Sequence, residues 1–204
     1  MSTKQTTPRR KRKGETTKSK LTAIAMDLFQ RKGFVAVGLN ELCQAGDLPK
    51  GSIYYHFPKG KNDIAIAVVN RAKNEIGKAI LQAGAAADSK EAFIAALVQG
   101  FAQSLIQSEF EKGCPVSTLA LELSAQEAEI AAAISDCYAY WQGLVAERLV
   151  RFGEQPEVAA QLAQFSFCAL EGALILARTQ KSLHPLEQVQ QHLIQHLSFG
   201  VKDA

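Results

Sequence analysis

Aromatic residues are scarce in this chain: they make up 7% of its 204 residues, although hydrophobic residues as a class reach 47%. With alanine abundant throughout, that composition disfavours sheets, which draw on β-branched and aromatic side chains, and suits helices packed on helices. No window holds 18 consecutive apolar residues, which argues against a membrane span. The basic N-terminus is not followed by an apolar segment and does not read as a secretory signal. The four cysteines, Cys43, Cys114, Cys137 and Cys168, stand far apart with no C-x-x-C spacing, so reduced thiols in a cytoplasmic protein are expected. A phosphate-cradling glycine loop, H-E-x-x-H and G-x-S-x-G are also missing, which leaves no sign of an enzyme and no catalytic residues to nominate. His192 and His196 have a metal-compatible i, i+4 spacing, but no carboxylate or cysteine shares their turn. Neither a metal nor a cofactor is expected.

What is present is charge, unevenly placed. The formal net charge is +3, yet residues 1–61 hold 13 Lys/Arg against 4 Asp/Glu, and residues 62–204 hold 10 against 16. A basic first third on an acidic body is the electrostatic footprint of a nucleic-acid-binding end. Membrane-surface binding would need an apolar face beside the charges, and "TTPRRKRKGETTKSK" has none.

Helical periodicity dominates the rest. Residues 1–14 are polar and cationic and are expected to be a disordered arm. A first helix should start at Thr16 or Thr17, with Leu21, Ile24, Ala25 and Leu28 on one face and Gly33 as its stop. A short helix over Leu39–Ala45 and another from Pro49 to His56 follow, the proline in the first turn. A long helix over 61–82 carries Ile64, Val68, Ala72, Ile76 and Ile80. "DSKE" (88–91) and "SAQE" (124–127) have capping-box form and should open helices to about Gln107 and Phe152. Pro115, Pro156 and Pro185 begin three more. The expectation is all-α, about nine helices, in three parts: a basic arm (1–14), a helix-turn-helix domain (15–62) and a larger helical body (63–204).

The stretch "LPKGSIYYHFPKGK" carries the chemistry. On a helix Ile53 and Phe57 share one apolar row, which would face inward, while Lys50/Tyr54, Gly51/Tyr55 and Ser52/His56 form outward rows. With the preceding helix and a turn centred on Gly46-Asp47-Leu48, this has the spacing of a helix-turn-helix. Gly46 is the residue expected to take a left-handed conformation in that turn. Gly51 permits close backbone approach, Lys50, Lys59 and Lys61 can neutralise phosphates, and Ser52, Tyr54 and His56 can donate to phosphates or base edges. No Arg, Asn or Gln lies on this helix, so phosphate contacts and DNA shape should weigh heavily. Arg9, Arg10, Lys11, Arg12 and Lys13 are candidates for further phosphate or minor-groove contacts.

"LNELCQAGDLPKGSIYYHFPKGK" resembles the DNA-binding segment of the TetR family of bacterial repressors. The extra glycine in "FPKGK", with "KGCPVSTLALELS" (112–124), "LEGALILAR" (170–178) and "HPLEQV" (184–189), is similar to the LmrA/YxaF-like branch. Gly38 departs from the Ser or Thr that relatives often place at that cap. The resemblance implies that Lys50, Gly51, Ser52, Tyr54, Tyr55, His56 and Lys61 lie at the DNA. It also implies a homodimer built from the last two long helices, and hence a pseudo-palindromic operator. Small residues Ala169, Gly172 and Ala173 on one helix, and the stripe Leu186, Val189, Leu193, Leu197 on the other, are the candidate seam.

In the family the C-terminal domain binds a small molecule that displaces the heads from DNA, and this branch suggests flavonoid-like or drug-like compounds. Phe93, Phe101, Leu105, Tyr138, Trp141, Phe165 and Cys168 are candidates to line the cavity, although core packing is the commoner role for each taken singly. Glu122 and Glu171, in apolar surroundings, could anchor a ligand or tie the structure to a helix end or an arginine such as Arg178. Cys114, near Lys112 at a helix start, would serve a redox or electrophile sensor if its pKa were lowered. An activator or non-specific DNA binder, and an all-α enzyme using the cavity, are the remaining alternatives.

Overall fold

A computed structural model describes the backbone of residues 8–123 and 127–199, and the side chains of 17–123 and 127–195. Among these residues it is all-α, with nine helices and no strand: α1 (Pro8–Lys32), α2 (Leu39–Gly46), α3 (Lys50–His56), α4 (Lys61–Ala86), α5 (Lys90–Gln107), α6 (Pro115–Leu123), α7 (Ala128–Arg151), α8 (Pro156–Gln180) and α9 (His184–Phe199).

Most boundaries follow the sequence reading, with local corrections. α1 starts at Pro8, two turns before Thr16, so residues 8–14 form helix rather than a disordered arm. Proline is at home in a first turn, and no second proline interrupts the run to Lys32. Pro49 is the N-cap of α3, in extended conformation, not its first helical residue. The cap of α5 is Ser89 rather than Asp88: its hydroxyl accepts from the Ala92 N–H. Part of the expected box at 124–127 lies outside the described residues, and α7 begins at Ala128 after Glu127 in the cap position. The left-handed residue of the helix-turn-helix turn is Asp47 (φ 52°), not Gly46. Gly46 ends α2 in the interior, where an added Cβ would come within 3.2 Å of Leu48 and 3.7 Å of Ile24.

α1, α2 and α3 form a head, and α4 ties it to a body. One side of α4 packs on α1, while along its length it also meets α5, α6 and α7. A continuous buried cluster runs from Leu21, Phe29, Leu42, Ile53 and Phe57 through Ile64 and Val68 into Phe93, Trp141 and Leu170. Trp141 anchors the body: it is fully buried, stacks on Phe167 at 6.0 Å, meets Tyr138 edge-on, and donates its indole N–H to the Lys73 carbonyl at 3.0 Å.

α8 is long and apolar enough to cross a membrane by length and composition alone, although no 18 apolar residues run together. Its apolar residues face two ways. Ala163, Phe167, Leu170, Ala173, Leu174 and Ala177 are buried against the body, whereas Phe165, Cys168, Gly172, Ile175 and Leu176 are exposed on the other side. α9 lies on α5 and α8 and turns Leu186 and Leu193 inward.

Candidate nucleic-acid interface and effector cavity

Short helices are marginal alone, and α3 has seven residues. Two side chains hold it: Ile53 is fully buried and Phe57 is 1% exposed. The ammonium of Lys18 from α1 sits 5.3 Å from the Phe57 ring centroid. The opposite face is open. Lys50, Gly51, Tyr54 and Tyr55 are exposed, and Ser52 and His56 are half-buried. Tyr55, 80% exposed, meets His56 edge-on at 4.9 Å. A large aromatic at that exposure on a basic head is a surface prepared to meet something flat or anionic. A Cβ on Gly51 would meet nothing within 4 Å, so the backbone there is bare.

Two of the expected phosphate ligands are used differently. Lys61 folds back: its ammonium sits 4.1 Å from the Phe34 ring centroid and donates to the Val35 carbonyl at 3.3 Å. Burial lowers its pKa, with Glu122 opposing. Lys61 therefore ties α4 to the α1–α2 loop and does not project outward in this conformation. Lys59 is exposed but pairs with Glu129 of α7 at 2.7 Å, an interaction that raises its pKa. The side chains of Arg9, Arg10, Lys11, Arg12 and Lys13 lie outside the described residues; their backbone belongs to α1.

Head and body are latched by polar contacts around the end of α1. Gln30 donates to the Gly113 carbonyl at 2.7 Å, and Lys112 pairs with Asp27 at 2.5 Å. The Asp27 carboxyl is held below its ordinary pKa: burial works upward, and contacts with Lys112 and Arg31 outweigh it. Arg31 also pairs with Glu111, and Arg178 donates to the Arg31 carbonyl at 3.3 Å. Glu122 accepts from the Val35 N–H at 2.6 Å. That carboxylate presses on Gly33 (φ 84°), where a Cβ would collide with it. Glu122 thus ties α6 to the α1–α2 loop through a backbone N–H, which is neither the helix end nor the arginine expected of it.

An apolar cavity of about 200 Å³ lies beside this latch. Its walls are Met26 and Gln30 of α1, Ile76, Ala79, Ile80 and Ala83 of α4, Ala96 to Leu105 of α5, residues 112–115, and Leu174. Of the expected lining residues, Phe101 and Leu105 are there. Phe93 and Trp141 are core, and Tyr138 donates to Glu171 at 2.9 Å instead of facing the cavity. Phe165 and Cys168 point away, on the exposed face of α8. The sequence reading missed the small residues: Ala79/Ala83 and Ala96/Gly100 are i, i+4 pairs whose short side chains leave the space. A second, open groove of about 730 Å³ runs between α1, α6 and α8 and shares Gly113, Cys114 and Leu174 with the cavity.

The seam candidates divide as well. Ala173, Leu186 and Leu193 face the protomer core; Gly172 is exposed; Ala169 and Val189 are half-buried; Leu197 lies outside the residues whose side chains are described. His192 is exposed, and among the described residues no three metal-binding side chains cluster.

Cys114 does not have the lowered pKa a sensor thiol needs. It is buried, and burial together with the Glu171 carboxylate pushes its thiol well above the ordinary value. Iodoacetamide should therefore label Cys114 in the folded protein at least about tenfold more slowly than in concentrated urea, because the thiolate is the nucleophile. Equal rates, read by peptide mass spectrometry, would remove this picture of the site.

Comparison with known proteins agrees with this geometry. Residues 21–68 match the family model described as bacterial regulatory proteins, tetR family, and residues 91–192 match the transcriptional regulator LmrA/YxaF-like C-terminal domain. The chain is 31% identical to the HTH-type transcriptional regulator LmrA of Bacillus subtilis over 169 residues, covering 83% of this chain and 90% of that protein. It is 29% identical to the HTH-type transcriptional regulator YxaF of the same organism, covering 83% and 88%. A TetR transcriptional regulator from Chloroflexus aurantiacus superposes with a TM-score of 0.74 at 26% identity, covering 92% of this chain and 96% of that one. One from Legionella pneumophila shares the fold at a TM-score of 0.80 and 24% identity, covering 88% and 96%. The chain belongs to the TetR family of helix-turn-helix transcriptional regulators, with a C-terminal domain of the LmrA/YxaF-like kind.

Proposed function

We propose that the protein is a homodimeric, cytoplasmic transcriptional repressor that binds a pseudo-palindromic operator and leaves it when a small apolar or aromatic effector enters the body. The observation that carries this reading is the contact between cavity and head: Met26 and Gln30 belong to α1 and line the effector cavity. A ligand lodged there pushes on the same helix that packs on α2 beneath α3. It also strains the Gln30–Gly113 hydrogen bond. Release needs only a higher ligand affinity in the DNA-incompetent arrangement.

At about 200 Å³ the cavity exceeds the roughly 150 Å³ that admits benzene. It suits a single-ring compound, and the larger flavonoid-like effectors suggested by resemblance require α4 and α5 to part. Lys50, Ser52, Tyr54, Tyr55 and His56 are the proposed DNA contacts, on domain limits near residue 62. The proposed dimer seam is the exposed stripe Phe165, Cys168, Gly172, Ile175 and Leu176 of α8, apolar surface that a second copy would cover.

The test is a gel shift on DNA upstream of the protein's own gene, with and without excess random competitor and then with single-ring aromatic compounds. A discrete, competitor-resistant shift abolished by such a compound is the expected result. A smear that competitor removes would indicate a generic DNA binder and sink the repressor reading.

A separate expectation concerns the basic start of α1. If three of the five cations at 9–13 meet phosphates, changing all five to Gln lowers the log–log salt slope by about 2.7 per head. An unchanged slope would assign them to solvent.

A further inference from the structure

The recognition helix is poorly equipped to read bases. Its side chains are Lys50, Ser52, Ile53, Tyr54, Tyr55 and His56, and it offers no amide or guanidinium fork. The helix beside it does. Asn40 is the second residue of α2 and is exposed, and among the described residues its amide has no hydrogen-bond partner, whereas its neighbour Glu41 is engaged by Lys32 at 2.6 Å. Its neighbour Leu39 lies beside Gly60, whose backbone (φ 65°, ψ −125°) suits only glycine. A Cβ there would lie 3.6 Å from Cε1 of Tyr54 and 3.9 Å from Cδ1 of Leu39. The first turn of α2, the ring of Tyr54 and the α3–α4 turn therefore adjoin at one spot. The cap before that turn, Gly38, has no side chain to accept a capping hydrogen bond, and a Cβ there would meet nothing within 4 Å.

Resting on the DNA-binding reading above, we propose that Asn40 reads an adenine in each operator half-site: its NH₂ donates to N7 while its carbonyl accepts from the N6 amino group. The arrangement divides the work of recognition. α3 supplies phosphate contacts and ring contacts, and α2, which in this motif crosses the backbone at the groove's mouth, supplies the amide.

The experiment is selection from randomised DNA duplexes with the full-length protein, run in parallel for wild type, Asn40→Ala and Asn40→Asp. Wild type should enrich a two-fold motif with one A·T pair per half-site that Asn40→Ala relaxes. Discrimination at that pair should fall about 5- to 150-fold, the range one bidentate amide–adenine contact spans. Asn40→Asp keeps the shape but only accepts, so its preference there should move to the cytosine amino group. Identical motifs for wild type and Asn40→Ala overturn the inference, as does a uniform loss of affinity without a change in motif, which is a phosphate contact's signature. A wild type that enriches no motif overturns the proposed function itself. Unchanged melting temperatures in both variants tie the result to contact and not to folding.

Discussion

The Lys50→Ala/Tyr54→Ala double variant should lose specific operator binding by at least about 100-fold while melting with the wild type. The two residues are one turn apart on the open face of α3, and both are exposed, Tyr54 by 52%. Truncating them leaves Ile53 and Phe57, which seat the helix, untouched. A hydrogen bond to a charged group contributes about 1.5–3 kcal/mol, so a lysine–phosphate and a tyrosine–phosphate contact together account for the loss. The proposed dimer would present the pair twice, so about 100-fold is a lower bound. Removing Lys50 should also lower the salt slope by about 0.9 per head, and Tyr54 should not change it. Retained affinity in a variant of normal stability would place the interface on some other face of the head.

Trp141→Ala should be the most destabilising single change in the body, by about 3–5 kcal/mol. The indole is fully enclosed, stacked on Phe167, edge-on to Tyr138 and bonded to the Lys73 carbonyl of α4. Truncation opens a cavity at the α4–α7–α8 junction and removes the second hydrogen bond of a carbonyl that also accepts within α4. At about 2–4 °C per kcal/mol for a chain of this size, melting should fall by roughly 10 °C. Trp141→Phe keeps an aromatic ring and loses the hydrogen bond, so its cost should be well under half. Urea denaturation within about 1 kcal/mol of wild type for Trp141→Ala would show that the junction collapses to fill the space.

A helical period that faces a single core was legible in the sequence, and one that faces two surfaces was not. α3 has one apolar row, Ile53 and Phe57, and the inward face assigned to it is the inward face observed. α8 is apolar nearly all round, so spacing could not say which residues meet the body and which remain outside; Phe165 and Cys168 were placed in the cavity and are exposed, while Ala173 was placed on the seam and is buried. α9 shows the same limit, because a regular leucine stripe marks a buried face without naming what buries it, and Leu186 and Leu193 meet the protomer's own core. The cavity escaped notice for a different reason. Searching for large aromatic walls finds core residues such as Trp141, whereas empty space is made by what is small, here Ala79, Ala83, Ala96 and Gly100. Charge alone does not show direction, and the Phe34 ring and Val35 carbonyl draw Lys61 back in this conformation.

α4 belongs to the buried cluster of the head and to that of the body, with Ile64 and Val68 at one end and Ile80 at the other. A chain built this way cannot improve its sensor and its reader independently. Under the function proposed above, a substitution that reshapes the cavity wall at Ile76, Ile80 or Ala83 to admit a new compound would also reset how often the unliganded heads sit ready for DNA. Inheritance of a new inducer and inheritance of a leakier or tighter promoter should therefore travel together, and a lineage acquiring one would need compensating changes in the head to shed the other.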